Sequence, residues 1–203
     1  MNGNQVEMSA GTVGGDVYGG CSGNGAVTGN IATISGGTVR DVYGGRSYGT
    51  VKNNHVNISA GTVDGSSEYG GIFGGCSYGD AATGNTVTIS GGTLTGKVVG
   101  GASNTATDNN IILAKGTAAA NLQSATLYGS TKYNYDTSLP GNHSGNTLTV
   151  DKEKNITVAT VKNFDVYDFQ LGDVENGDVI LNLLDNTDLG TADVTVKTAR
   201  IKR

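Results

Sequence analysis

An asparagine followed by alternating apolar and polar residues recurs along this chain. The units open NQVEMS at Asn4, NIATIS at Asn30, NHVNIS at Asn54 and NTVTIS at Asn85, then NNIILA at Asn109 and NTLTVD at Asn146. Within each unit Val6/Met8, Ala32/Ile34, Val56/Ile58, Val87/Ile89, Ile111/Leu113 and Leu148/Val150 fall two residues apart. That period predicts a strand with one buried face. A second apolar position follows the next glycines: Val13, Val39, Val63, Leu94. A third precedes the next glycine pair: Val17, Val42, Ile72, Val98, Leu127. Each unit therefore predicts about three short strands separated by Gly, Asn and Ser turns.

The unit starts are 26, 24, 31, 24 and 37 residues apart. Two insertions account for the longer spacings, SSEYGG at 66–71 and KYNYDTSLPGNHS at 132–144, and both are expected to project as loops. No unit could bury its apolar face alone, whereas stacked coils could, each strand pairing with its counterpart one coil on. The fold class expected is all-β, a right-handed parallel β-helix (β-solenoid) with coils of about 24 residues and roughly 4.8 Å per coil. Asn4, Asn30, Asn54, Asn85 and Asn110 are expected to form a ladder of amides. Thr12, Thr38, Thr62, Thr93 and Thr117 form a second expected column, facing outward; the unequal coil lengths argue against ice binding.

Composition agrees with strands and turns. Hydrophobic residues are 36% and charged residues 15%, with 34 glycines, one proline and no tryptophan. Thirty-one of the 34 glycines lie in 1–145, and ten of the 18 acidic residues lie in 151–193. The chain is therefore divided into glycine-rich repeats at 1–146 and a modified continuation or cap at 147–203, which would cover exposed strand edges. A net charge of −5 argues against a nucleic-acid partner. No apolar run reaches the roughly 18–20 residues of a membrane helix. The opening MNGNQVEMS has no apolar core of a signal peptide, and the repeat begins at once, so the chain is expected to be part of a longer protein.

Glycine runs such as GTVGGDVYGGCSG at 11–23 lack the Lys-Ser/Thr and following helix of a phosphate loop, so they are read as coil corners. Cys21 and Cys76 occupy equivalent positions two coils apart, roughly 9–10 Å, with Arg46 between them. A disulfide requires Cα atoms within about 7 Å, so two free thiols are expected. His55 and His143 are expected in separate surface turns, and no metal or cofactor is expected. Asp16 and Asp41 would stack on adjacent coils, splayed and solvated unless a cation bridges them; Gly71 and Lys97 continue that column. Tyr18, Tyr43, Phe73, Tyr128 and Tyr167 are read as one aromatic column beside the third apolar position. Tyr48 and Tyr78, both in SYG turns, are the expected exposed binding pair.

Asn186-Thr187-Asp188 and Arg200-Ile201-Lys202 resemble two polygalacturonase motifs, but only twelve residues separate them and the intervening elements are absent. NTVTISGGTLTG (85–96) and GGTVRDVYGGRSYG (36–49) resemble passenger repeats of adhesin-like bacterial autotransporters, and the tail at 161–189 resembles the segment after such repeats. That resemblance implies export, display at the bacterial cell surface, and an outer-membrane barrel elsewhere in the same polypeptide. The function expected is a non-catalytic extracellular structural or adhesive passenger with a host-surface or glycan ligand and possible end-to-end self-association. Alternatives are a polysaccharide lyase or hydrolase on a β-helix, and a glycan-binding module using the tyrosines.

Overall fold

Every described strand pairs in parallel with a strand one coil away. The computed structural model describes residues 1–67, 70–133, 138–187, 189–190, 192–197 and 200–201. It is a parallel β-helix. Ile31–Ser47 runs unbroken through three sides of its coil, which joins those sides into one 14-stranded sheet. The fourth side is a separate parallel sheet of Val27–Thr28, Val51–Lys52, Ala81–Thr83, Thr105–Thr107 and Asn142–Ser144. Each coil before residue 146 thus has four sides, one more than the apolar pattern predicts. The extra strands are only two or three residues long and carry one inward residue each: Val27, Val51, Ala82 and Ala106, all fully buried.

The three predicted apolar columns form in register. Val6, Ala32, Val56, Val87, Ile111 and Leu148 stack on the first side. Val13, Val39, Val63 and Leu94 stack on the second, and Val17, Val42, Ile72, Val98 and Leu127 on the third. Apart from Val13, which is 37% exposed on the first coil, these side chains form or pack against one continuous core. Beyond residue 147 the first side continues through Thr147–Asp151, Val166–Gln170 and Asp193–Lys197, and Ile156–Lys162 stacks on Asn121–Thr131. The fourth side stops at Asn142–Ser144, so part of the 132–144 insertion is a strand rather than a loop. Residues 68–69 and 134–137, within the two insertions, lie outside the described residues.

The asparagine ladder holds the corner before the first side. Asn30, Asn54, Asn85, Asn109 and Asn146 are fully buried. Each Oδ1 accepts two bonds from the preceding coil, one from the asparagine backbone N–H and one from its Nδ2; for Asn85 these come from Asn54 at 3.0 Å each. From Asn54 upward the second Nδ2 proton goes to a fourth-side carbonyl of the coil below, as from Asn85 to Val51 at 3.1 Å. Every polar atom of the buried amide is satisfied, as burial demands. Asn109, not Asn110, is the rung: the residue before each rung turns through a left-handed conformation, as at Gly84 (φ 65°) and Asp108 (φ 57°). Asn110 begins the strand and faces outward. The ladder ends at Asp165, whose Oδ2 accepts from Asn146 N and Nδ2 at 2.9 and 3.1 Å. A carboxylate accepts but does not donate, so it closes a chain of amides that all point one way.

Glycine pairs make room for the ladder. A Cβ at Gly75 would lie 2.5 Å from the Asn85 amide carbon. The VYGG signature is therefore a floor for the rung of the next coil. The threonine column ends early. Thr93 pairs with Asn121, so Thr12, Thr38, Thr62 and Thr93 form the threonine column without Thr117. Thr117 instead starts a short 3-10 turn, where its hydroxyl is buried and bonds to the Ile89 and Ala114 carbonyls.

The direction of the ladder makes opposite substitutions unequal. Asn85→Ala strands donors on Asn54 and acceptors on Asn109 and Val51, and is expected to cost about 3 kcal/mol or more in urea unfolding. Asn85→Asp, a buried anion against two carbonyl-type oxygens, is expected to cost at least as much at pH 7. Asp165→Asn keeps the acceptor and is expected to stay within about 1 kcal/mol of the parent. Equal losses for the two exchanges would show that the ladder has no polarity.

Candidate functional site

The outer face of the third side carries a second apolar cluster, separate from the core, of Tyr43, Phe73, Cys76, Val99, Ala102 and Tyr128, with Tyr18 and Tyr78 packed against it. It forms because the strand DVYGG turns Val42 inward and Tyr43 outward in each coil. Parallel pairing then places aromatics directly over one another. Tyr18, Tyr43 and Phe73 stack at centroid distances of 5.1 and 4.9 Å with nearly parallel planes. Val99 occupies the next position and Tyr128 the one after. Tyr167 is not in this column. It pairs with Leu148 on the first side, and burial pushes its hydroxyl pKa up to about 12.

Tyr48 and Tyr78 come together as the repeat predicts. Their rings lie 5.3 Å apart at 35°. Tyr48 is 61% exposed, while Tyr78 is only half-buried rather than open, because it leans on the aromatic cluster. Between the two groups sits Arg46, a residue that periodicity alone passes over. Its guanidinium carbon is 5.8, 5.4 and 5.1 Å from the ring centroids of Tyr18, Tyr43 and Tyr78, and Nη1 donates to the Tyr18 hydroxyl at 2.8 Å. These are cation–π distances. The signal in the sequence was the exchange of Cys21 and Cys76 for Arg46 at one repeat position.

Asp16 and Asp41 do stand on adjacent coils, but they are neither splayed nor solvated. Arg40 bridges them, with Nη2 2.6 Å from Asp16 and Nε 3.1 Å from Asp41. Tyr18 donates to the other Asp16 oxygen at 2.5 Å, and the Gly71 N–H donates to Asp41 at 2.7 Å. Burial pushes Asp16 up, yet the bonds from Tyr18 and Arg40 and the charge of Arg40 leave it below the usual carboxylate range. Burial dominates at Asp41 and raises it, despite the Gly71 and Arg40 bonds. Tyr18 is pushed up to about 12, first by burial and then by its bond to Asp16. The network is self-contained, running Arg46, Tyr18, Asp16, Arg40, Asp41, Gly71.

Cys21 and Cys76 are both free, and Arg46 separates them in register. The histidines are in strands rather than turns. His55 opens His55–Gly65 and is exposed. His143 lies in Asn142–Ser144, its Nδ1 3.1 Å from the Pro140 carbonyl and its Nε2 3.8 Å from Asp165. Among the described residues no three His, Cys, Asp or Glu side chains cluster as metal ligands. Asp188 and Lys202, parts of the two polygalacturonase-like strings, lie outside the described residues. An apolar cavity of about 360 Å³ opens at the last coils, lined by Tyr167, Phe169, Ile180 and Val194 among others. Comparison with family models, curated proteins and solved structures finds no match.

Two outcomes are expected. The lowered Asp16 contributes stability above 3.8 and loses it as the pH falls, so Asp16→Asn should melt earlier than the parent at pH 7, and circular-dichroism melts should converge as the pH is taken well below 3.8. A gap that persists there would mean the ion pair is not its source. Burial pushes the Cys76 thiol up to about 11, whereas Cys21 is exposed. A thiol reagent at pH 8 should titrate one cysteine in the folded protein and two in denaturant; two rapid reactions when folded would contradict the burial of Cys76.

Proposed function

We propose that the chain is a non-catalytic structural and adhesive segment of a bacterial surface protein, an autotransporter-type passenger displayed outside the cell. The observation that carries this reading is the aromatic face itself. Tyr48 is 61% exposed on a rigid coil and stacked on Tyr78, beside the stacked row of Tyr18, Tyr43 and Phe73, the last two buried. Exposed aromatics on a fixed scaffold supply contact area at low entropic cost. The ligand class is a host-surface molecule or glycan, the export barrel belongs to the remainder of the polypeptide, and neither cofactor nor nucleic acid takes part.

A polysaccharide-cleaving role would require carboxylates free to act on a substrate. Asp16 and Asp41 accept bonds from Tyr18, Arg40 and Gly71, which favours a structural role for the pair.

Cells displaying the chain should adhere to their target surface, and Tyr48→Ala/Tyr78→Ala should reduce adhesion about tenfold or more, with an unchanged β-sheet spectrum. Undiminished adhesion by a folded double variant would remove the tyrosines from the function.

A further inference from the structure

The geometry points to a carboxylate-bearing sugar, a uronic or sialic acid unit of a glycan, as the ligand of the aromatic face, with Arg46 as the residue that recognises the acid group. This rests on the reading of Tyr48 and Tyr78 as the binding surface and names the chemistry that surface selects. The argument begins with the electrostatics of Arg46. A guanidinium carries five N–H donors in a planar fork. Among the described residues only one hydrogen bond uses them, from Nη1 to the Tyr18 hydroxyl. The ion pairs of the described residues place carboxylates on Arg40, His143 and Lys154, not on Arg46. Asp16 reaches Arg46 only through Tyr18, and its own charge is met by Arg40. Arg46 is half-buried in a protein of net charge −5, yet its cation is balanced only by ring faces.

Nothing in the fold requires that cation. The same repeat position holds Cys21 in the coil before and Cys76 in the coil after, then Ala102 and Thr131. Small neutral side chains occupy that position at all four. The rings of Tyr18, Tyr43 and Tyr78 fix the guanidinium in position, so little side-chain freedom is lost when a planar anion binds it. A carboxylate matches the fork in a bidentate pair. A sugar ring matches the exposed face of Tyr48, whose neighbour Tyr78 also touches Arg46. A platform for a ring next to an unspent guanidinium selects a ring that carries an acid.

The test is a titration of the folded chain with paired oligosaccharides, 3′-sialyllactose against lactose and tri-galacturonate against its methyl ester, followed by tyrosine fluorescence and calorimetry. At least one acidic member should bind about tenfold or more tighter than its neutral partner, and the preference should weaken with salt. Arg46→Gln should abolish the preference and leave weak neutral binding. Arg46→Lys should keep part of it, since the charge remains and the fork is lost. Melting curves establish that both variants fold, as the neutral residues at positions 21, 76, 102 and 131 lead one to expect. Equal binding of acidic and neutral members, or an undiminished preference in a folded Arg46→Gln, overturns the acidic ligand and leaves the tyrosine surface standing. No binding to any glycan, with adhesion still lost in Tyr48→Ala/Tyr78→Ala, overturns the sugar class and points to a protein target. No binding and no change in adhesion overturns both readings.

Discussion

A buried amide must spend two donors and two acceptor sites, and in this chain each one does so against the rungs above and below it and a backbone carbonyl of the fourth side. That requirement organises the coil. It places Asn30, Asn54, Asn85, Asn109 and Asn146 in line and sets the spacing of the strands that follow them. It also forces a residue without a side chain opposite the rungs Asn54, Asn85 and Asn109, because a Cβ at Gly45, Gly75 or Gly101 would meet the amide within 2.7 Å. The high glycine content is thus the complement of the ladder. Hydrophobic burial along three valine-rich columns supplies the bulk driving force, while the ladder sets the register in which that burial occurs.

The parts of this architecture that repeat with a side-chain signal were legible in the sequence. Period two around Val56 and Ile58 is enough to place a half-buried strand, and its recurrence is enough to stack it. What was not legible had a physical reason in each case. The fourth side contributes a single small inward residue per coil, so AVTGN, TVKNN and AATGN leave no period to detect; their signal is the turn residue before each asparagine. Asn109 and Asn110 are adjacent and chemically identical, and only the left-handed turn at Asp108 decides between them. Asp165 was hidden because the last rung needs an acceptor, not an amide. Tyr167 closes an Asp-Val-Tyr string identical to the one ending at Tyr43, so the local sequence places it in the aromatic column, yet its strand pairs on the first side.

The candidate site shows the same division. The pairing of Tyr48 with Tyr78 follows from the repeat alone. The role of Arg46 does not, because it depends on a departure from the repeat read against the rings around it. Asp16 and Asp41 illustrate how stacking reverses an expectation. Two like charges one coil apart are unfavourable in isolation, and the strand answers by inserting Arg40 just before the second of them, so that the pair becomes a brace between coils.

A ladder in which every rung is alike has no preferred length. Inserting one more coil between any two asparagines replaces one rung-to-rung contact with two of the same kind, and leaves the Asp165 terminus as it was. Duplication of a 24- to 26-residue stretch is therefore close to neutral for the fold, and each copy brings its own Tyr-Gly-Gly face. The length of such a rod can grow or shrink by gene-level copying, and single substitutions such as Cys to Arg can then make one coil differ from its neighbours.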